Sequence, residues 1–290
     1  MQTGISTASL FGRFYSEDAL SLFNEKGVTT AEVFLESFCE YNREFGEFLA
    51  TRKGNTKIHS VHTLTTQFES TLYSLNERAQ NDSFTLLDKT MQAAKALNAK
   101  YYTFHGLARV KRTPYVIDFE RTGAITQRII DVCAKYGVTL AYENVHWAYY
   151  NYIGFFSELK KRTDRLKGTF DIKQARQSGV DYREFIDEMG EDIVTAHLSD
   201  IDANGKMCLP GRGVTDFKEV LTRLRDKGFD GALLLEVYKN DFKELFNRLR
   251  DKGFDGALIL EVYKSDFDDT AELFDSLSYI TDLAKEIFKK

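Results

Sequence analysis

Ionisable side chains end four apolar runs from position 139 onward in this 290-residue chain. They are Glu143 after Thr-Leu-Ala-Tyr, Asp171 after Gly-Thr-Phe, His197 after Val-Thr-Ala, and a glutamate after either Leu-Leu-Leu (Glu236) or Leu-Ile-Leu (Glu261). Burying several carboxylates together is costly unless a cation neutralises them. Three carboxylates and one imidazole would hold a divalent ion, and this oxygen-rich set suits Mn²⁺, Mg²⁺ or Co²⁺ better than a thiolate-preferring metal. We therefore predict one divalent metal ion (Mn, Mg, Co or Zn) on these residues.

The last of these glutamates occurs twice because a 25-residue segment is repeated. Residues 216–240 and 241–265 are identical at 20 of 25 positions, with no gap between the copies. Each copy is typical of an amphipathic helix, a glycine-containing turn and a hydrophobic strand. We predict that Glu261 is the ligand, because its copy runs directly into a closing helix, Phe267–Phe288. Glu236 is the alternative, because its copy follows the Pro-Gly-Arg-Gly turn without interruption.

Alternating β-rich and amphipathic stretches must position these residues. The predicted strands are Gln2–Ser6, Thr30–Leu35, Lys57–His62, Lys100–His105, Thr139–Glu143, Gly168–Asp171, Ile193–His197, Ala232–Val237 and Ala257–Val262. The predicted helices are Ser16–Lys26, Ser83–Leu97, Phe119–Tyr136, Tyr182–Met189 and one in each repeat. Strict alternation of this kind indicates parallel strands joined by helical crossovers.

Two architectures fit this alternation, a doubly wound open sheet and a closed (β/α)8 barrel. The strands number eight when the repeat is counted once, and the chain without one copy is close to the roughly 250 residues typical of the barrel. In a barrel the polar strand ends also meet at one mouth, whereas an open sheet would spread them in a row. No GxGxxG or Walker sequence follows the first strand. We predict one α/β domain over residues 1–290, a (β/α)8 TIM barrel with one duplicated helix–strand unit near the C-terminus.

The extra unit has three possible fates. The barrel could admit a ninth strand, which would change the relation between strand number, stagger and tilt. One copy could be extruded, which would expose leucines such as Leu233 and Leu235 unless a partner covered them. Exchange of the unit between two chains would bury it in a homodimer. We predict eight strands in the barrel with one unit displaced.

Composition limits the classes of function. The net charge of −5 and the pI near 5.7 give no overall attraction to nucleic acid or anionic membranes. The sequence shows no secretion signal and no run of apolar residues long enough to span a membrane. Cys39, Cys133 and Cys208 are odd in number and lack CxxC spacing, which favours reduced thiols in the cytoplasm.

Several of these motifs resemble the xylose-isomerase-like TIM barrels, a family of sugar-phosphate isomerases and epimerases and of apurinic/apyrimidinic endonucleases. The resemblance is carried by Tyr142–Asn144, Thr169–Asp171, His197–Asp200, Leu209–Gly213 and the GFDGA-strand pattern that precedes each repeat glutamate. It implies that Glu143, Asp171, His197 and one repeat glutamate bind the metal. It also implies that Glu143 and the repeat glutamate act as the acid/base pair. The implied function is a metal-dependent isomerase or epimerase of a small sugar or polyol derivative, with proton transfer through an enediolate.

The endonuclease branch of the family is the alternative. His62 and His105 match two histidines of its three-zinc site, but this chain has Asp171-Ile-Lys-Gln174 where that branch has Asp-x-x-His. The Asp-x-His that follows the strand-seven histidine in that branch is also missing. We therefore expect no nucleic-acid partner. A further alternative is a catalytically impaired barrel, deformed by the duplication.

Five other residues are predicted to contact a small-molecule substrate at the mouth. His62 and His105 would hydrogen-bond to sugar hydroxyls, although histidines that only bridge strand ends are an open alternative. Gln174 lies where some epimerases have a substrate-contacting histidine. Lys206 and Arg212 follow the seventh strand, where a cation would meet a substrate phosphate or carboxylate, unless they are solvated loop charges.

Overall fold

Parallel strands of four to seven residues form a closed barrel in the computed structural model of the chain. The structure describes residues 2–11, 13–64, 68–109, 116–198, 200–203, 207–208, 214–229, 232–235 and 257–260. The barrel strands are β1 (Gln2–Ser6), β2 (Thr30–Leu35), β3 (Lys57–Thr63), β4 (Tyr101–Phe104), β5 (Thr139–Glu143), β6 (Lys167–Asp171), β7 (Ile193–Leu198), β10 (Ala232–Leu235) and β11 (Ala257–Leu260). A separate antiparallel hairpin pairs β8 (Asp200–Ile201) with β9 (Met207–Cys208).

Helices connect most of these strands, as the alternation predicts. They are α1 (Ser16–Glu25), α2 (Arg43–Arg52), α3 (Glu77–Ala96), α4 (Phe119–Lys135), α5 (Phe155–Lys160), α6 (Ile172–Gln177), α7 (Tyr182–Met189) and α8 (Phe217–Asp226). Helix α3 begins six residues before the predicted Ser83, because Asn76 caps it by accepting from the backbone N–H groups of Arg78 and Ala79. Helices α2, α5 and α6 are not among the predicted helices, and α5 and α6 have only six residues each.

The strand order around the barrel corrects the predicted number of strands. The order is β1-β11-β10-β7-β6-β5-β4-β3-β2, so the strands of both repeat copies lie in the ring. β10 pairs with β7 and with β11, and β11 pairs with β1. The prediction of eight strands with one copy displaced is therefore wrong. A hydrophobic strand has backbone N–H and C=O groups along both edges, and insertion into the ring satisfies both rows, whereas displacement would leave an open edge.

The TIM-barrel fold itself is confirmed, and it brings the carboxyl ends of the strands to one mouth. A second layer of packing lies between the strands and the helices. Phe104 of β4 and Tyr142 of β5, both fully buried, contact each other edge to face at 5.0 Å between ring centroids. The predicted second repeat helix and closing helix lie outside the described residues, so the single domain over residues 1–290 stays a prediction.

Within the described ranges, no helix combines the length and the apolar character needed to cross a membrane. Cys39 is exposed and Cys133 is buried, and both are free thiols.

Candidate metal centre

Three of the predicted metal ligands lie together at the carboxyl ends of adjacent strands. Glu143 ends β5, Asp171 ends β6, and His197 lies in β7, where it is paired in register with Asp171. His197 Nδ1 is 3.3 Å from Glu143 Oε1 and 3.4 Å from Asp171 Oδ2. One potential ligand atom from each residue lies within 4.8 Å of the others. The three residues therefore converge on one point, as the sequence predicts.

The chemistry of this cluster fits a divalent cation. Glu143, Asp171 and His197 are only 3%, 4% and 8% exposed, so two carboxylates share a site largely removed from water. Such a pair is stabilised by a positive charge between them, and carboxylate oxygens with an imidazole nitrogen are ligands that Mn²⁺, Mg²⁺, Co²⁺ and Zn²⁺ accept. The predicted fourth ligand, Glu261 or its alternative Glu236, lies outside the described residues.

The side chain of Asn144 holds the backbone of Asp171 through two hydrogen bonds. Its side-chain amide donates to the Asp171 carbonyl at 2.9 Å, and its amide oxygen accepts from the Asp171 N–H at 2.7 Å. Asp171 in turn caps α6, because its Oδ1 accepts from the backbone N–H of Gln174 at 2.8 Å. One carboxylate oxygen is thus engaged by the helix, and the other, Oδ2, faces His197. In the sequence, Asn144 is marked only as part of the Tyr142–Asn144 motif.

Glu69 is a buried carboxylate that the sequence analysis missed. It is fully buried and accepts from the Tyr102 hydroxyl at 2.7 Å and from the His105 backbone N–H at 3.1 Å. His105 bridges two carboxylates, with Nδ1 3.4 Å from Glu69 Oε2 and Nε2 3.2 Å from Glu143 Oε2. No periodicity marks Glu69, because it lies in a loop after β3.

Glu32 is a second carboxylate that the sequence analysis missed. It lies inside the barrel on β2, 1% exposed, and its Oε2 accepts from the Ser60 hydroxyl at 2.7 Å. His62 Nε2 is 3.5 Å from Glu32 Oε1, and the imidazole stacks on Phe34. A glutamate in the middle of an otherwise apolar predicted strand is unusual, and this signal was available in the sequence.

A cavity of about 70 Å³ collects most of the predicted site residues. Its lining consists of Glu32, His62, Thr103, His105, Glu143, Asp171, Lys173, Gln174 and His197. The buried Lys173 is not among the predicted site residues. Predicted substrate contacts Lys206 and Arg212 lie outside the described residues.

Gln174 has a fixed amide orientation. Its Oε1 accepts from the backbone N–H of His146 at 3.1 Å and lies 2.6 Å from His146 Nδ1. Because the oxygen is held by His146, the amide nitrogen is the group that remains for the cavity. Gln174 is therefore placed as a donor at the cavity wall, and its oxygen is not available as a metal ligand.

The cluster is electrostatically asymmetric. Burial raises the pKa of Glu143, but His197 and His105 outweigh this effect, so the pKa lies far below its usual value. Burial lowers the pKa of His105, but hydrogen bonds and charges from Glu143 and Glu69 raise it to about 10. Burial lowers the pKa of His62, and the neighbouring His105 and His197 add to this effect, although Glu32 opposes it. Glu143 is thus an anion at neutral pH, and His105 carries the proton that faces it.

Comparison with known proteins identifies the family. The profile of the xylose isomerase-like TIM barrel family matches residues 20–241, and the chain belongs to this family. No protein of curated function matches the chain.

Solved structures share the fold over the whole chain. A D-tagatose 3-epimerase-like protein superposes with a TM-score of 0.67 at 18% identity, covering 100% of this chain and 98% of that chain. The IolI protein with a bound zinc atom gives a TM-score of 0.71 at 16% identity, with both chains fully covered. D-psicose 3-epimerase with D-fructose gives 0.69 at 12% identity, also with both chains fully covered. At these identities the likeness establishes the fold.

Proposed function

We propose that the protein is a divalent-metal-dependent isomerase or epimerase of a small sugar or polyol derivative. The observation that carries the proposal is the buried convergence of Glu143, Asp171 and His197 at the barrel mouth. Family membership and the likeness to sugar epimerases support the same class of reaction. The zinc atom bound by the IolI protein, which shares the fold, supports a bound metal.

The proposed chemistry depends on how the two carboxylate oxygens of Glu143 are held. A bound divalent ion supplies Lewis acidity that makes a proton next to the substrate carbonyl easier to remove. Glu143 is an anion at neutral pH and serves as the base that takes this proton from carbon. His105, held by Glu69, fixes Glu143 Oε2 and leaves Oε1 directed to the His197 side. Gln174 donates a hydrogen bond to a substrate oxygen.

The second acid/base group and fourth ligand is a repeat glutamate. The sequence favours Glu261 for this role, but the strand order supports Glu236. Strand β10, which Glu236 follows in the sequence, lies beside β7 and its ligand His197. Strand β11, which Glu261 follows, is one strand further round the ring and lies beside β1. We propose that Glu143 takes one proton from carbon and that Glu236, protonated beforehand, delivers its own proton to carbon; exchange with solvent then restores both groups.

Proton transfer at carbon gives a direct test. Incubation with Mn²⁺ and a panel of ketopentoses and ketohexoses in D₂O should introduce carbon-bound deuterium, which NMR and mass spectrometry detect. Glu143→Gln should abolish incorporation while preserving the fold, and Glu158→Gln, on the surface helix α5, should leave it unchanged. No incorporation with any ketose by the metal-loaded wild type would contradict the proposal. Cleavage of an abasic-site duplex instead would favour the endonuclease alternative.

A further inference from the structure

The loop after β3 carries a buried carboxylate whose two oxygens are both engaged by other protein groups. Glu69 is fully buried and does not line the cavity of about 70 Å³. Its Oε1 accepts from the Tyr102 hydroxyl at 2.7 Å and from the Thr63 hydroxyl at 3.3 Å. Its Oε2 accepts from the His105 backbone N–H at 3.1 Å and lies 3.4 Å from His105 Nδ1. Glu69 is therefore placed to act on the metal centre through His105 and not by contact with an ion or a substrate.

The next residue in this loop, Ser70, holds the chain that follows β4. Its hydroxyl accepts from the Ala108 backbone N–H at 2.9 Å and donates to the Gly106 carbonyl at 3.4 Å. Gly106 has a φ of +74°, and a Cβ there would collide with the Tyr142 hydroxyl, so only glycine fits this turn. Glu69 and Ser70, which we call the β3 brace, thus hold the backbone at the end of β4 from two adjacent positions.

Two routes lead from the β3 brace to Glu143. The side-chain route is His105, whose Nε2 lies 3.2 Å from Glu143 Oε2. The backbone route is a short antiparallel pairing of the loops after β4 and β5, in which Ala108 lies opposite Ala148 and backbone hydrogen bonds of 2.8 and 2.9 Å close the pair. The β3 brace therefore restrains both the Glu143 carboxylate and the loop that follows it.

We propose that Glu69 is a positioning residue for Glu143, which it orients through His105. The inference rests on the proposed function, in which Glu143 is a metal ligand and the base. Without the Glu69 carboxylate, His105 loses the acceptor of its backbone N–H and the partner of its Nδ1, so the imidazole and the Glu143 oxygen that it holds gain rotational freedom. Groups that hold a metal ligand in place in this way typically contribute about 10–100-fold to metal affinity.

Glu69→Ala and Glu69→Gln separate orientation from charge. Glutamine has room to direct its amide oxygen to His105 and its amide nitrogen to Tyr102, because the Tyr102 hydroxyl has a second partner in Thr63 at 3.0 Å. We expect Glu69→Ala to weaken Mn²⁺ binding by about tenfold or more, and Glu69→Gln to recover most of this loss. Titration calorimetry well below the Tm of each protein measures both affinities.

Asp192→Ala is the matched control. Asp192 is also a buried carboxylate, but it directly precedes β7, at the end of the barrel opposite the mouth, where it pairs with Lys160 and Lys167. Its loss should lower the Tm and leave the Mn²⁺ affinity unchanged. A Glu69→Ala protein that binds Mn²⁺ as the wild type does would overturn the positioning role. Equal losses of affinity in Glu69→Ala and Glu69→Gln would also overturn it, because orientation would then not be what Glu69 supplies.

The imidazole signals of His105 give a readout that needs neither metal nor substrate. In metal-free protein labelled with ¹⁵N-histidine, the ring N–H next to Glu69 should be protected from exchange and give an NMR signal, which His105→Gln assigns. We expect Glu69→Ala to lose this signal and Asp192→Ala to keep it, and an unchanged signal in Glu69→Ala would contradict the proposal. Absence of Mn²⁺ binding by the wild type would instead count against the proposed function, and the His105 signal would then decide the positioning role alone.

Discussion

His105 is the residue that connects the candidate base to the rest of the fold. Its imidazole spans two buried carboxylates, Glu69 and Glu143, and its backbone N–H is also held by Glu69. Such an arrangement limits rotation of the Glu143 carboxylate, since one oxygen is already bound. His105 therefore contacts other protein side chains, which agrees with the alternative that this histidine only bridges strand ends. Its contact with a substrate stays a prediction.

Asn144→Ala should weaken metal binding without removing a ligand. The substitution deletes two hydrogen bonds that fix the Asp171 backbone, and losses of this kind typically cost about 10–100-fold in metal affinity. Titration calorimetry with Mn²⁺ well below the Tm measures the change. Asn76→Ala removes a helix cap far from the mouth and should lower stability but leave the affinity unaltered. Equal affinities for Asn144→Ala and the wild type would show that Asp171 needs no such support.

Gln174→Glu should impair substrate use while sparing the metal. The glutamate keeps an acceptor for His146 but replaces the amide donor at the cavity wall with a second acceptor. We expect kcat/KM to fall by about tenfold or more, because a substrate oxygen loses its donor and meets a negative charge. Steady-state kinetics with the best ketose measures this, with Gln127→Glu on the surface of α4 as control. A kcat/KM equal to that of the wild type would show that Gln174 does not contact the substrate.

His59 should make the fold sensitive to mild acid. Burial lowers the pKa of His59 to about 4, and nearby Lys100 adds to this effect although Glu32 opposes it. The unfolded chain binds the proton with a pKa of about 6.5, so between these values the unfolded state holds more protons. Stability is therefore unaffected above about pH 6.5 and falls as the pH drops toward 4.

Urea denaturation of the wild type and His59→Gln at several values between pH 7.5 and 4.5 tests this expectation. The variant should lose less stability over that interval, since one buried neutral histidine is gone. His62, whose pKa is also lowered, should account for part of the remaining slope. If the free energy of unfolding varied with pH in the same way for the two proteins, His59 would be protonated equally in the folded and unfolded states.

Among the helices, α2 and α3 approach each other at a glycine. A Cβ on Gly46 would lie 2.6 Å from the Ala93 carbonyl oxygen and 2.7 Å from its Cα, both backbone atoms. Gly46 has no positive φ, so its role is close contact between helices and not a special backbone conformation. The small residue thus sets how closely α2 packs on α3.

Gly46→Ala should consequently destabilise the protein. Helix propensity alone would favour alanine by about 1 kcal/mol, but a clash with backbone in a packed interface costs typically 1–3 kcal/mol. We expect a net loss of stability in urea denaturation. Glu47→Ala, on the exposed side of α2, should have little effect. A gain in stability for Gly46→Ala would mean that α2 shifts at little cost.

At the scale of the whole molecule, the repeat enlarges the barrel. The strands of both copies have a neighbour on each side within one chain, so their pairing needs no exchange with a second chain. A homodimer built through the repeat therefore stays a prediction without support from the strand pairing. The strands of the two copies are neighbours in the ring, but of the two it is β10 that borders β7, the strand that carries His197.

This strand order predicts unequal roles for Glu236 and Glu261. Glu236→Ala should lose bound metal to the same extent as Glu143→Ala, whereas Glu261→Ala should retain it, because the first copy neighbours β7. Metal analysis of the three purified variants after loading with Mn²⁺ and desalting measures the stoichiometry. Retention by Glu236→Ala with loss by Glu261→Ala would assign the ligand to the second copy.

The sequence by itself determined the alternation of strands and helices and the convergence of three predicted ligand residues. This was possible because strand ends in a parallel barrel meet whatever the detailed packing, so Glu143, Asp171 and His197 had to lie together. Only the tertiary structure placed Glu69 against His105, because a contact between a loop and a strand end far apart in sequence leaves no periodic signal. It also brought Glu32 of β2 to His62 of the neighbouring strand β3. It also decided the number of strands in the ring. Two nearly identical segments have nearly identical local preferences, so only pairing with β7 and β1 could assign each of them a place.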